Sequence, residues 1–262
     1  QKGEVSPVSQ APAKRQELWR EQGVIPRGID REVVEALHRT HIGDDQDPEH
    51  ILHHAIRVAL ADGWGGSMIA TDISDILFGT PAPILGQANL GVLKDDMVNV
   101  VVHGHEPTLS EMIVTASQDP EIIAYAKAAG AEGISLSGIC CTANEILMRQ
   151  GLPAAGNFLH QELAILTGSV EAMVVDVQCI MQALVDLASN FHTKIITTSP
   201  KVKIKGGTHI EFNEHEALTI AKNILKESID NYSNRGKTQI PQVQEDQIPG
   251  FSNEDINYML GG

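Results

Sequence analysis

Gly133-Ile-Ser-Leu-Ser-Gly-Ile-Cys-Cys-Thr-Ala-Asn-Glu145 is the stretch on which the reading of this chain turns. An apolar run, Ile134 to Ile139, stops at two adjacent cysteines. Thr142, with Glu145 three residues later, reads as a capping box, so a helix starts where the run ends. Cys140 and Cys141 therefore stand where a strand hands over to a helix. Unpaired backbone N–H groups and the helix dipole favour negative charge there, which eases formation of a thiolate. The chain has three cysteines, and two of them are here.

The same strand-to-helix pattern recurs on both sides. Met97-Val-Asn-Val-Val-Val102 is a β-branched run of the kind buried on both faces of a sheet, and it ends in His103-Gly-His105-Glu-Pro107. Thr108 and Glu111 offer a second capping box, and Asp119-Pro120 opens a further helix that Gly130 closes. Residues 157–166 read as helix and 172–177 as a second apolar strand, which ends at Gln178-Cys179 before a helix over 181–188. Strands are expected at 194–198 and 208–212, and a long helix at 214–231. Continuous apolar strands alternating with helices predict an α/β domain: a Rossmann-like parallel sheet with helices on both faces, over residues 89–262.

Upstream the texture differs. Residues 1–29, rich in Gln, Pro and basic side chains, read as a linker or arm with a short helical stretch at 14–22. Residues 30–88 predict a small helical segment. Asp30 starts one helix, with Val33, Val34 and Leu37 on one face. Asp47-Pro48-Glu49 starts another, with Leu52, Ile56, Ala59 and Leu60 at packing spacing. Asp62-Gly-Trp-Gly-Gly-Ser67 breaks it, and a short helix follows over 70–77.

The 262 residues carry a formal net charge of −15, which argues against nucleic acid or an anionic membrane as partner. No apolar run reaches the length of a membrane span, and no signal peptide is visible. Three cysteines, two of them adjacent, make a poor disulfide framework and suit reduced thiols in the cytoplasm. Aromatics are 4% of the chain, so the core must come from aliphatic side chains.

In parallel sheets of this kind ligands bind at the carboxyl ends of strands, near a switch in strand order. His105, Cys141 and Cys179 each fall just after an expected strand and before an expected helix. Three soft ligands at equivalent positions indicate a metal or cluster site. Cys140 reads as a small buried hydrophobe, and His103 and His105, taken singly, as loop histidines. His38, His41, His50, His53 and His54 read as solvated surface. The glycines form neither a phosphate loop nor a dinucleotide fingerprint, and no Ser–His–Asp spacing is recognisable. Thiolates select zinc, copper(I) or iron–sulfur. The short paired spacing of structural zinc is absent, and an iron–sulfur cubane wants about four thiolates, so something outside these residues must complete the site.

Several longer motifs carry a resemblance. Val101-Val-His-Gly-His-Glu-Pro-Thr-Leu109, Gly138-Ile-Cys-Cys-Thr142 with Asn144-Glu145, and Asp176-Val-Gln-Cys-Ile-Met181 closely resemble nickel–iron carbon monoxide dehydrogenases. So do Asp62-Gly-Trp-Gly-Gly-Ser67, Leu77-Phe-Gly-Thr-Pro81, Gly156-Asn-Phe158 with Gln161-Glu162, and His192-Thr-Lys194 with Ile196-Thr-Thr-Ser-Pro200. The resemblance implies an oxidoreductase that interconverts CO and CO2 with water at a nickel–iron–sulfur cluster. It implies that His105 and Cys141 hold the iron outside the cubane and that Cys179 holds a cubane iron, with no catalytic residue assigned beyond the ligands. It also implies a cytoplasmic homodimer, a redox partner such as ferredoxin, and in some members acetyl-CoA synthase as partner.

Ala143 and Gln182 depart from the family's usual Gly and Pro. The family chain is much longer, and its additional 4Fe-4S clusters and its remaining cluster cysteines belong to segments absent here. The chain, opening at Gln1, is therefore expected to be the central segment of such an enzyme, and inactive alone. Two alternatives are a non-catalytic or partner-completed short protein and a hybrid-cluster-type hydroxylamine reductase. His-Gly-His-Glu-Pro with Gly-Ile-Cys-Cys favours CO chemistry over the latter.

Overall fold

The computed structural model describes residues 8–9, 11–177 and 179–250. The start of the expected arm (1–7 and 10), Gln178, and the end of the expected α/β domain (251–262) lie outside the described residues. The chain divides into two compact units, one running to Thr80 and the other from Pro81 onward. The division falls ahead of the expected boundary at 88/89, because strand β1 (Gly86–Ala88) pairs into the sheet of the second unit.

The first unit contains α1 (Ala13–Glu21), α2 (Ile29–Leu37), α3 (Pro48–Asp62) and α4 (Ala70–Phe78). Asp47 caps α3 by accepting from the backbone N–H of Glu49 at 2.9 Å, and Pro48 takes the first helical position, as the motif requires. Glu32 on α2 is fully buried. It accepts from the Arg27 backbone N–H at 2.9 Å, from Arg27 Nε at 3.0 Å and from Arg57 Nε on α3 at 3.2 Å. The apolar faces of these helices are only partly covered: Val34 and Leu52 are 63% and 60% exposed.

The second unit is built on an eight-stranded sheet. With β1 its strands are β2 (Val98–His103), β3 (Ile134–Ile139), β4 (Ala154–Gly156), β5 (Val170–Val175), β6 (Lys194–Thr197), β7 (Thr208–His209) and β8 (Glu245–Gln247). The order is β7-β6-β5-β2-β3-β4-β1-β8, parallel throughout except where β8 pairs antiparallel with β1. Every residue of β2 and β5 is buried, and alternate residues feed two cores. Val100, Val102, Ala172 and Val174 pack with α5 (Pro107–Ser117), α6 (Pro120–Ala128) and α10 (Ala217–Asp230). Val101, Met173 and Val175 pack with α8 (Gln161–Leu166) and α9 (Leu184–Ala188). Burial on both faces is why these strands read as unbroken apolar runs. Each such valine contributes roughly 1.5–3 kcal/mol.

Two helix starts differ from the expected capping boxes. α7 (Cys140–Gln150) begins at the cysteines themselves, without a side-chain cap, and Thr142 spends its hydroxyl on Asp176 instead. α5 is capped by Glu106, whose Oε1 accepts from the Thr108 backbone N–H, because Pro107 fixes the first turn one residue before Thr108. β1, β4 and β8 were not foreseen; they are three residues each and rich in Gly, Ala and polar side chains.

The amino-terminal edge of the sheet is clamped by one buried ion pair. Arg235 grips Glu171 on β5 through Nε and Nη2, both at 2.6 Å, and donates to the carbonyls of Asp95 and Met97. Glu171 also accepts from the backbone N–H of Asn99 at 2.6 Å and sits 2.9 Å from His192 Nε2.

Two outcomes follow for the protein that carries this chain. Removing Arg235 leaves the Glu171 charge buried, so Arg235→Met is expected to destabilise the α/β unit by roughly 3–5 kcal/mol in denaturant unfolding; a loss below ~1 kcal/mol would contradict the clamp. At Glu32, burial pushes the carboxyl up, but the Arg27 side chain and N–H outweigh it, and the group sits at about 2 against an ordinary 4.5. The folded value is the lower one, so this stabilisation is present above pH 4.5 and is lost as pH falls from there towards 2. Glu32→Gln should flatten that acid dependence in amide exchange of α2 and α3; an unchanged slope would refute it.

Candidate metal centre

β2 is flanked by β3 on one side and β5 on the other, so the strand order reverses between β2 and β5. The carboxyl ends of these strands carry His103 to His105, Cys140 with Cys141, and Asp176 to Cys179. This is the switch point at which open α/β sheets bind ligands.

Asp176 ties the three ends together. It is 1% exposed. Oδ1 accepts from the His105 backbone N–H at 2.6 Å, and Oδ2 accepts from Glu106 N–H at 3.0 Å and from the Thr142 hydroxyl at 3.3 Å. The Val177 N–H also donates to it. Its own N–H donates to the His103 carbonyl, and the Thr142 N–H donates to the Gly104 carbonyl. Burial pushes the Asp176 carboxyl above its usual range, and the backbone donors of Glu106, Val177 and His105 act against that. Gly104 has φ +135°, and a Cβ there would lie 1.5 Å from Asp176 Oδ1. Glycine is therefore the residue that lets the carboxylate reach the loop.

The cysteines are held in unusual backbone. Cys140 and Cys179 have φ of +64° and +56°, a left-handed conformation that non-glycine residues rarely adopt and that clusters at functional sites. Gly138 allows the handover from β3 to α7, since a Cβ there would lie 2.3 Å from Ala143 Cα. Cys140, Cys141 and Cys179 line one open bowl of ≈ 640 Å³ together with Asn144, Asn157 and His160. Cys140 is half-buried, while Cys141 and Cys179 are exposed. His105 does not line the bowl; it is joined to it through Asp176 and Thr142, and its buried Nδ1 has no hydrogen-bond partner among the described residues.

The ease of thiolate formation expected at the helix start is reversed. Burial, with Cys179 and Cys141 alongside, pushes the Cys140 thiol up to about 11. Burial, Cys179, Glu145 and Asp176 raise Cys141 as well. Crowded soft ligands that resist ionisation without a counter-charge are what a cationic centre would relieve. His105, Cys141 and Cys179 do not bring their donor atoms within 4.8 Å of one another as a set, so they are not the chelate of a single ion. Three thiols round a bowl, with the His105 imidazole behind them, fit part of the ligand set of an iron–sulfur-type cluster, and the count again falls short of closing it.

Among the described residues one group does gather three donor atoms within 4.8 Å: Glu32, Glu35 and His54. His54 is buried there, not solvated as expected, with Nε2 3.1 Å from Glu32. Arg27 bridges both carboxylates and Arg57 adds a second guanidinium. The two negative charges are already balanced, which removes the need for a metal.

Asp176 and the strained cysteine backbones escaped the sequence reading. An aspartate directly after an apolar strand was the available signal, but its partners lie some 70 residues away in the chain.

Residues 2–253 match the model of the Prismane/CO dehydrogenase family. The chain is 56% identical over 264 residues to carbon monoxide dehydrogenase 1 of Methanosarcina acetivorans, covering 100% of this chain and 42% of that one. It superposes on the Ni-free carbon monoxide dehydrogenase of Thermococcus sp. AM4 with a TM-score of 0.93 and 54% identity, covering 100% of this chain and 42% of that one. A second structure, of acetyl-CoA synthase/carbon monoxide dehydrogenase described with NiZn[Fe4S4] and NiNi[Fe4S4] clusters, gives 0.90 and 46%, covering 98% and 39%. The chain thus spans about 42% of the length of the relatives it matches. A doubly wound sheet with thiols and an imidazole gathered at its switch point, matched along nearly its whole length, belongs to the Prismane/CO dehydrogenase family.

Proposed function

We propose that this chain supplies His105, Cys141 and Cys179 to the nickel–iron–sulfur cluster of a carbon monoxide dehydrogenase. The observation that carries the reading is the convergence of the cysteines on one bowl at the β2/β5 switch, with His105 fixed beside them by Asp176. The remaining ligands, and further 4Fe-4S clusters for electron transfer, come from polypeptide outside these residues. Bound there, the cluster supplies the two-electron sink for the reaction of CO and water to CO2, two protons and two electrons.

The chain's own residues do four things. Cys141 offers a thiolate once a cation offsets the desolvation and neighbouring negative charge that raise it, and Cys179 offers its sulfur on the same bowl. His105 offers the Nδ1 that no group among the described residues engages. Asp176 orients it, since a carboxylate bonded to two consecutive amides leaves the loop little freedom to turn. The buried aliphatic layers beneath exclude water from the floor of the site. We further propose a cytoplasmic homodimer that passes electrons to a ferredoxin-type acceptor, with acetyl-CoA synthase as a partner of the whole protein.

The reading is tested on the anaerobically purified protein that carries this chain. Bound nickel and iron, with CO-dependent reduction of a viologen dye, are expected; hydroxylamine reduction without CO oxidation would refute it. Cys141→Ser or Cys179→Ser should lower CO oxidation by about 100-fold or more, exceeding the roughly 10–100-fold typical of residues that only orient ligands. Asp176→Asn keeps the shape and loses the charge, and a loss of roughly 10–100-fold is expected with the protein still folded. Wild-type rates in all three would contradict the assignment.

A further inference from the structure

Cys179 has a left-handed backbone without being glycine, which costs roughly 1–3 kcal/mol and persists only where neighbours enforce it. Among the described residues, the Asp176 carboxylate makes no hydrogen bond to its own strand's exit beyond Val177. The neighbour that holds Cys179 is Gln161, the first residue of α8, whose side chain is fully buried. Its Nε2 donates to the carbonyl of Cys179 at 2.8 Å and to the carbonyl of Phe158 at 3.1 Å. Its Oε1 accepts from the Met181 backbone N–H at 3.2 Å. One carboxamide thus brackets Cys179, bonding its carbonyl and the amide two residues on. The same side chain fastens this loop to the turn bearing Phe158, and Phe158 and His160 line the bowl with the cysteine. The chemistry demands an amide, because glutamate could not donate and leucine could do neither.

His103 backs the clamp. It is fully buried, and Gln161 and the carbonyls of Ile139 and Cys179 border its ring, yet among the described residues neither ring nitrogen meets a partner in hydrogen-bond geometry. The loop therefore has a rigid wall behind it and an open bowl in front.

We propose that Gln161 is a positioning residue that presets the Cys179 thiol for the cluster before metal arrives. This rests on the cluster reading above. It separates two buried polar anchors with different cargo: Asp176 holds His105 and the start of α7, and Gln161 holds Cys179.

The test uses the protein that carries this chain, with Gln161→Leu and the near-isosteric Gln161→Glu, made anaerobically. In metal-free protein, amide exchange of the segment containing Met181 should rise severalfold in Gln161→Leu and stay near wild type in Gln161→Glu, which keeps the acceptor. Both variants should bind iron about 10–100-fold more weakly and show an altered electron paramagnetic resonance signature, with the thermal midpoint of Gln161→Glu as the control for folding. Folded variants with wild-type exchange, iron content and resonance would overturn the proposal while leaving the cluster reading intact. Wild-type protein that binds no iron would overturn the cluster reading itself, and the clamp's role with it. Should Gln161→Leu fail to fold, Gln161→Glu decides: an unaltered resonance overturns the proposal.

Discussion

A buried carboxylate holds the ends of three strands in register at the site. Asp176 receives the amides of His105 and Glu106 from the β2 loop, the hydroxyl of Thr142 from α7, and the amide of Val177 from its own chain. A buried carboxylate is costly unless its lone pairs are filled, so this point is stable only when all three loops are in place. The geometry of the strand ends and the placement of His105 and the start of α7 are thus one constraint. That is also why Gly104 has no room for a side chain.

The rest of the second unit exists to make that point rigid. The sheet is covered on both faces, and its alternate residues are shared between two aliphatic cores. At the opposite edge a second buried carboxylate, Glu171, is paired with Arg235 and fixes where β5 begins. β5 therefore runs between two buried acids, Glu171 at its start and Asp176 just past its end. Slippage of that strand would strand one of them without partners. The site inherits its precision from this double anchoring rather than from any one loop.

Much of this was legible from the chain alone, for a physical reason. β2 and β5 are buried on both sides, so their apolar runs announce parallel strands, and the soft side chains just past their ends announce where the switch point lies. The short strands β1, β4 and β8 left no such trace, because their pairing depends on neighbours already in place. The start of α7 was misplaced because Thr142 resembles a cap yet bonds to a residue 34 positions away. Asp176 and Gln161 were invisible as anchors for the same reason: each is defined by partners distant in sequence. His54 was misjudged because a helix face crowded with histidines looks solvated until a buried glutamate is found opposite it.

The central claim is the proposal that metal bonds to the soft side chains gathered at this switch point. The most direct measurement is anomalous X-ray diffraction at the iron and nickel edges, on anaerobic crystals of the protein that carries this chain. Iron peaks within bonding distance of Cys141 Sγ, Cys179 Sγ and His105, with nickel beside them, are the expected result. Fully loaded crystals whose iron and nickel peaks lie elsewhere, with these three side chains unligated, would contradict the assignment.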